Sequence, residues 1–125
     1  RFSYRGLAIP SSWIIVKGKF GLKKGRKKEI RERVKSYLEM RKRKQPLDYP
    51  SAGSVFKNPK EGPAGKWIEE SGLKGFRIGQ AMVSERHANF IINLGKAKAE
   101  EVIRLMEFVE KKVYEGKGIS LEREV

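Results

Sequence analysis

Apolar residues fall into short runs separated by polar stretches and by clusters of Gly and Pro. Residues 1–12, with Gly6, Pro10 and a serine pair, read as loop. The run 13–22 (Trp-Ile-Ile-Val-Lys-Gly-Lys-Phe-Gly-Leu) is rich in β-branched and aromatic residues and predicts a strand, with Gly18 and Gly21 as bulge positions. Ile30, Val34, Tyr37 or Leu38, and Arg41 follow helical spacing and predict a helix over 27–43. Its apolar stripe is thin, so it belongs at a surface, and Gln45-Pro46 stops it. Residues 45–63 carry Pro46, Pro50, Gly53, Pro59, Gly62 and Pro63 and predict a long ordered loop, anchored by a short strand at Val55-Phe56. A short helix follows over 64–71 with Gly72 just past its end. Strands are expected at 76–84 and 87–93. The clearest helix spans 97–115, with Val102, Ile103, Met106, Val109 and Val113 on one face and Gly116 as its cap. A last strand covers 119–125. Short strands and helices without strict alternation predict an α+β fold: a small antiparallel or mixed sheet packed by two main helices.

Length adds a bound: 125 residues suit one domain with one modest core. No apolar run approaches the ~20 residues that span a bilayer, and no secretory signal pattern is present, so no membrane insertion is expected. The sequence has no cysteine and a single histidine, His87. Disulfides, thiolate nucleophiles, cysteine-based zinc sites and His-cluster metal sites are thereby excluded, and no metal is expected. Lys plus Arg number 29 against 15 for Asp plus Glu, a net charge of +14. Such a field attracts nucleic acid, anionic membrane or phosphorylated small molecules, and charge alone does not choose among them. The chain opens at Arg1 and stops at Val125 inside an alternating pattern, so a fragment or separated half of a larger protein is expected.

Three stretches carry candidate chemistry. Ser51-Ala52-Gly53-Ser54-Val55-Phe56-Lys57-Asn58-Pro59 combines small residues that let a backbone approach a ligand with the Ser54 hydroxyl. Lys57 and Asn58 are suited to hold an oxyanion; an ordinary serine-rich turn has the same composition. The stretch from Gly75 to Asn89 holds a glycine turn and His87 before an apolar run, and a lone histidine there is commonly structural. The basic segment Lys17 to Lys44 is suited to phosphates, but such a run is more often a solvated helix face, and it has no helix-turn-helix partner pattern and no aromatic interleaving for base stacking.

Taken in order, the motifs resemble one family. Gln45-Pro46-Leu47, Pro50 to Pro59, Ala64-Gly65-Lys66-Trp67-Ile68-Glu69, Gly72-Leu73-Lys74-Gly75, Arg77-Ile78-Gly79, Val83-Ser84 and His87 to Asn93 are similar to the UDP-N-acetylenolpyruvoylglucosamine reductases. Phe2-Ser3-Tyr4-Arg5 and Leu121 to Val125 extend the resemblance over nearly the whole chain, and the short spacing before the serine motif is that of the compact subtype. Two positions depart from it: Gly6-Leu7 replaces the usual Asp or Asn then Ser, and Gln80 stands where a second glycine is frequent. The resemblance implies the C-terminal, substrate-binding domain type of that family. It implies that residues 1–25 are the tail of a preceding FAD-binding domain and that 26–125 form the substrate domain. NADPH is then the hydride source, UDP-N-acetylglucosamine enolpyruvate the substrate, the FAD-binding half the partner, and the bacterial cytoplasm the location. FAD is bound mainly by that absent half, so the isolated piece is expected to be inactive.

The resemblance also implies residue roles. Arg5, Ser54 and Glu124 stand at the catalytic positions, and Tyr4, Lys44, Asn58 and His87 at positions that contact substrate. The residue types suit the chemistry. Hydride addition to an enolpyruvate builds negative charge on its α-carbon and carboxylate. Arg5 can hold that carboxylate bidentately, a protonated Glu124 can hydrogen-bond it, and Ser54 can protonate the α-carbon. A basic nucleic-acid-binding module is the second reading, set against this one by the +14 charge.

Overall fold

The run from Phe90 to Asn93, the most strand-like of the second half of the sequence, becomes a central strand of the main sheet. The computed structural model describes residues 2–125, and the chain divides into two units, Arg1–Ser36 and Tyr37–Val125.

In the first unit, β1 (Phe2–Ser3) and β2 (Gly6–Leu7) form a small antiparallel hairpin, Phe2 facing Leu7 and Ser3 facing Gly6. Tyr4 and Arg5 make its turn, and Arg5 takes the left-handed backbone conformation at φ 54°. The strand expected over 13–22 does not form. A β-branched run is stable as a strand only with a ladder partner, and in this unit β1 and β2 pair with each other. Trp13, Ile14, Ile15, Val16 and Phe20 stay exposed, Val16 at 93%, around an apolar hollow of about 640 Å³. The predicted basic helix is present as α1 (Lys27–Lys44), and the division between units falls within it. Glu29 in its first turn and Arg41 to Lys44 in its last complement the helix dipole, and none of its residues is buried.

The second unit carries a four-stranded antiparallel sheet in the order β3-β6-β5-β4: β3 (Ser51–Ser54), β6 (Phe90–Asn93), β5 (Ala81–Val83) and β4 (Arg77–Ile78). The α+β expectation therefore holds, with every strand pair antiparallel. The strand expected over 76–84 is a hairpin, β4 and β5 joined by the two-residue loop Gly79-Gln80. Only Gly79, at φ 58°, needs the left-handed region, which leaves room for Gln80 beside it. Two helices pack here: α2 (Ala64–Glu70) and α3 (Ala99–Lys117). Leu105, Met106, Val109 and Val113 of α3 join Ala81 and Val83 of β5, Ile91 of β6, and Ala64 and Ile68 of α2 in one core. Ile103, expected on that face, is 46% exposed, and Leu105 takes the buried position. The cap of α3 is Gly118 at φ 67°, not Gly116: its amide donates to the Tyr114 carbonyl at 2.8 Å. Gly72 ends α2 as expected, at φ 70°, its amide donating to the Glu69 carbonyl.

The final strand expected over 119–125 reduces to one isolated bridge, Phe56 with Arg123. Its two hydrogen bonds run from Lys57 N to the Glu122 carbonyl and from Glu124 N to the Val55 carbonyl, both at 2.8 Å.

Candidate functional site

A cavity of about 390 Å³ opens in the second unit where the end of β3, the start of α2 and the turn before β6 converge. Ser54, Asn58 and His87 all line it, so three of the residues singled out from sequence meet in one place. Lys66, Glu69, Arg86 and Asn89 also contribute to its wall.

Ser54 owes its position to a bulge. Ser51 faces Ile92 and Ser54 faces Phe90, so three steps along β3 match two along β6. The extra residue lies between them, where Gly53 sits at φ 93°. A regular strand would send Ser51 and Ser54 to opposite faces; the bulge resets the alternation and aims Ser54 at the cavity. A side chain at position 53 would be strained whatever the available space, because L residues rarely adopt that φ.

Asn58 shapes the opposite wall. Its Oδ1 accepts the amide of Ala64 at 3.0 Å, satisfying one of the free donors at the start of α2. Gly65, on the first turn of that helix, lets the histidine ring approach: a Cβ there would stand 3.2 Å from His87 Cε1. The His87 ring packs edge-on against Phe90, centroids 4.9 Å apart. Its Nδ1 accepts the amide of Asn89 at 3.2 Å, which assigns the proton of the neutral ring to Nε2. Burial lowers the His87 pKa below its ordinary 6.5, with Lys74 adding to the effect, while a backbone hydrogen bond and Glu69 act against it. The neutral ring therefore has Nε2–H as a donor and Nδ1 as an occupied acceptor. The buried Ser84 hydroxyl fixes this turn by accepting the amides of Arg86 at 3.1 Å and His87 at 3.3 Å.

The charged groups of the wall are held by ion pairs at their outer ends. Glu69 pairs with Lys74 at 2.6 Å, and Lys66 lies 4.8 Å from the centre of the Trp67 ring. Arg86 donates to the carbonyls of Lys42 at 3.2 Å and Gln45 at 3.1 Å and pairs with Asp48 at 2.8 Å. It thus holds the C-terminal end of α1 through its last carbonyls. Lys44, on that last turn, is exposed and does not line the cavity. The set of hydroxyl, amide, ammonium, guanidinium and imidazole N–H groups is suited to an oxyanion such as phosphate.

Glu124 lies on the segment that borders Ser54's own strand. Its amide donates to the Val55 carbonyl at 2.8 Å, one residue from Ser54, and its Oε2 is shielded from solvent. Two flanking residues fix the segment: Glu122 pairs with Lys57, and Arg123 grips Glu110 of α3 through Nε–Oε1 at 2.6 Å and a second bond to Oε2 at 2.9 Å. The bonds to Glu110 raise the Arg123 pKa further, so the guanidinium stays charged. Tyr4 and Arg5 belong to the first unit, at the β1–β2 turn, with the Arg5 guanidinium 5.9 Å from the centre of the Tyr4 ring.

Sequence reasoning gave no role to Arg86, Lys66 or Asn89. Arg86 adjoins the histidine motif, a signal for its place in the wall, but nothing local announces its bonds to residues more than forty positions away. Among the described residues no helix is long and apolar enough to cross a membrane.

A family model described as the C-terminal domain of UDP-N-acetylenolpyruvoylglucosamine reductase matches residues 45–125. The chain is 48% identical over 122 residues to the protein of that name from Syntrophobacter fumaroxidans, an alignment covering 98% of this chain and 35% of the relative. It is 50% identical over 126 residues to the one from Thermotoga maritima, covering 99% and 44%. The crystal structure of the UDP-N-acetylenolpyruvylglucosamine reductase from Thermus caldophilus superposes with a TM-score of 0.67 at 45% identity, covering 84% of this chain and 37% of that one. The chain thus spans about two fifths of the length of its relatives, and it belongs to the family of the UDP-N-acetylenolpyruvoylglucosamine reductase C-terminal domain.

Proposed function

We propose that this chain is the substrate-binding part of an FAD-dependent, NADPH-using reductase that converts UDP-N-acetylglucosamine enolpyruvate to UDP-N-acetylmuramate, a step of peptidoglycan synthesis in the bacterial cytoplasm. The observation that carries the reading is the juxtaposition of Ser54 and Glu124 on neighbouring backbone segments, beside a cavity of polar donors, within a family match that covers residues 45–125. In this reading residues 1–25 end the FAD-binding domain and 26–125 form the substrate domain. The exposed apolar run at 13–16 supports it, because a buried neighbour is what such a run requires. The nucleic-acid-binding alternative gains no support from the family match.

The donor set fits a flavin partner. A serine hydroxyl, a carboxyl group and a guanidinium move protons and stabilise charge; none of them carries two electrons, and the sequence has no thiol. FAD, bound mainly by the remainder of the protein, would supply the hydride chemistry once reduced by NADPH. The rest falls to this chain. Negative charge grows on the α-carbon and its carboxylate, where Arg5 contributes a bidentate cation and Glu124 a hydrogen bond. Ser54 delivers its proton to the α-carbon, and solvent returns one to the serine oxygen. Asn58, His87 and Lys66 offer donors to the diphosphate; Tyr4 and Lys44, outside the cavity, are further positions that the resemblance assigns to substrate. This gives part of the +14 charge a use.

The test is to assay the full-length protein carrying this chain for NADPH oxidation with and without UDP-N-acetylglucosamine enolpyruvate. Turnover that needs the enolpyruvyl substrate and yields UDP-N-acetylmuramate is expected. A protein that retains FAD, is reduced by NADPH and shows no substrate-dependent turnover overturns the reading.

A further inference from the structure

We infer that the Glu110–Arg123 ion pair is a positioning device for Glu124, so that Glu110, on the far side of the segment, acts on the reaction without touching substrate. The inference rests on the reading of Glu124 as the group that hydrogen-bonds the substrate carboxylate.

The backbone alone holds residues 121–125 weakly. The segment has one isolated bridge to Phe56 and two main-chain hydrogen bonds, to Lys57 and Val55. Segments held so lightly open locally at low cost. Their register is also weakly fixed, and in an extended segment a slip of one residue turns every side chain to the other face. Here the local sequence makes slippage consequential: Glu122 and Glu124 lie two apart, so a two-residue slip would present the wrong carboxylate at the same place.

Arg123 prevents this. Its side chain leaves the segment between the two glutamates and makes two hydrogen bonds to Glu110, at 2.6 and 2.9 Å. Glu110 sits on α3 next to Val109 and three residues before Val113, both fully buried, so the anchor is a rigid element. The side chains are only 36% and 27% exposed, and the geometry is bidentate, which separates this pair from the solvated pairs on the helix surface such as Lys111–Glu115 at 3.8 Å. The Lys57–Glu122 pair acts on the other neighbour. Because successive side chains of an extended segment alternate, holding Arg123 toward α3 sends Glu124 to the opposite face.

The experiment uses the full-length reductase and its two half-reactions. Glu110→Gln should leave flavin reduction by NADPH unchanged and slow reoxidation by the enolpyruvyl substrate about 10- to 100-fold, the scale of a small misplacement of a reacting group. The exchanged pair, Glu110→Arg with Arg123→Glu, should restore much of the rate. Glu110→Gln should add nothing in a Glu124→Gln background, because both changes act on the same group. If Glu124→Gln itself leaves reoxidation at the wild-type rate, the reading of Glu124 fails and takes the inference with it. If Glu124→Gln slows reoxidation but Glu110→Gln lowers only the melting temperature, or adds equally in both backgrounds, the positioning role alone is overturned.

Discussion

Asn89 and Phe56 exchange two buried hydrogen bonds: the Phe56 amide donates to Asn89 Oδ1 at 3.0 Å, and Asn89 Nδ2 donates to the Phe56 carbonyl at 2.8 Å. The carboxamide takes the place of a neighbouring strand two residues beyond the end of β3, where the chain runs on toward Asn58. It thereby fixes the backbone just beyond Ser54. Both residues are nearly inaccessible to water, Asn89 at 4% and Phe56 at 2%.

Replacing Asn89 with Ala should strand two buried main-chain groups. At about 1–3 kcal/mol for each unsatisfied group, a loss of about 2–6 kcal/mol is expected. Urea denaturation should show a lower midpoint with an unchanged slope. Asn89→Asp should do no better at neutral pH, because it keeps the acceptor for the Phe56 amide but sets a carboxylate oxygen against the Phe56 carbonyl.

Gly79 and Glu101 make a second, separable pair. The Glu101 carboxylate accepts the amides of Lys98 at 3.0 Å and Gln80 at 3.2 Å, and these bonds lower its pKa. It lies so close to the β4–β5 turn that a Cβ on Gly79 would stand 2.0 Å from Glu101 Oε1. Gly79→Ala should therefore cost the left-handed backbone penalty, about 1–2 kcal/mol, and also displace the carboxylate from both amides. In a Glu101→Ala background only the backbone penalty should remain. A double-mutant cycle by thermal or urea unfolding checks this, and strict additivity would contradict it.

These cases mark what the sequence could reveal. α3 was legible because its 3.6-residue period coincides with burial of Met106, Val109 and Val113. The choice of Leu105 over Ile103 was not, because the strands and α2 that pack on the helix decide which flank of the stripe turns inward. The run 13–22 has strand composition but no strand, since composition does not supply a ladder partner. Gly118 rather than Gly116 caps α3 because the helix continues through Lys117 before one glycine adopts φ 67°. At the site, Ser54, Asn58 and His87 were legible as motifs, yet their meeting in one cavity depends on a bulge and on a helix start. Arg86 and Glu110 act through partners distant in sequence, so no local pattern could have announced them.

His87 gives the site a pH dependence of known sign. Burial holds its folded-state pKa below the ordinary 6.5, so the unfolded chain binds a proton more readily as pH falls. Stability contributed through this residue is intact above about 6.5 and declines as pH drops through the window between 6.5 and the lowered folded value. Protonation would also turn Nδ1 from acceptor to donor and break its bond from the Asn89 amide. Stability measured from pH 7.5 to 5 should fall less steeply in His87→Gln than in the parent. Equal slopes over that range would show that His87 does not carry this linkage.

Ser54 offers the sharpest test, because the proposed reaction separates into halves that use different groups. Ser54→Ala removes one oxygen at a half-buried position next to the Gly53 bulge and leaves the backbone bonding of Val55 to Asn89 and Glu124 intact, so the fold should tolerate it. Reduction of the flavin by NADPH does not call on a proton donor for the α-carbon and should proceed at the parent rate. Reoxidation by the enolpyruvyl substrate should slow by about 100-fold or more, the range associated with loss of a positioned proton donor. Rapid-mixing measurements of flavin absorbance separate the two steps. A Ser54→Ala protein reoxidised at the parent rate would leave the serine as a turn residue of β3, and another group would have to protonate the α-carbon.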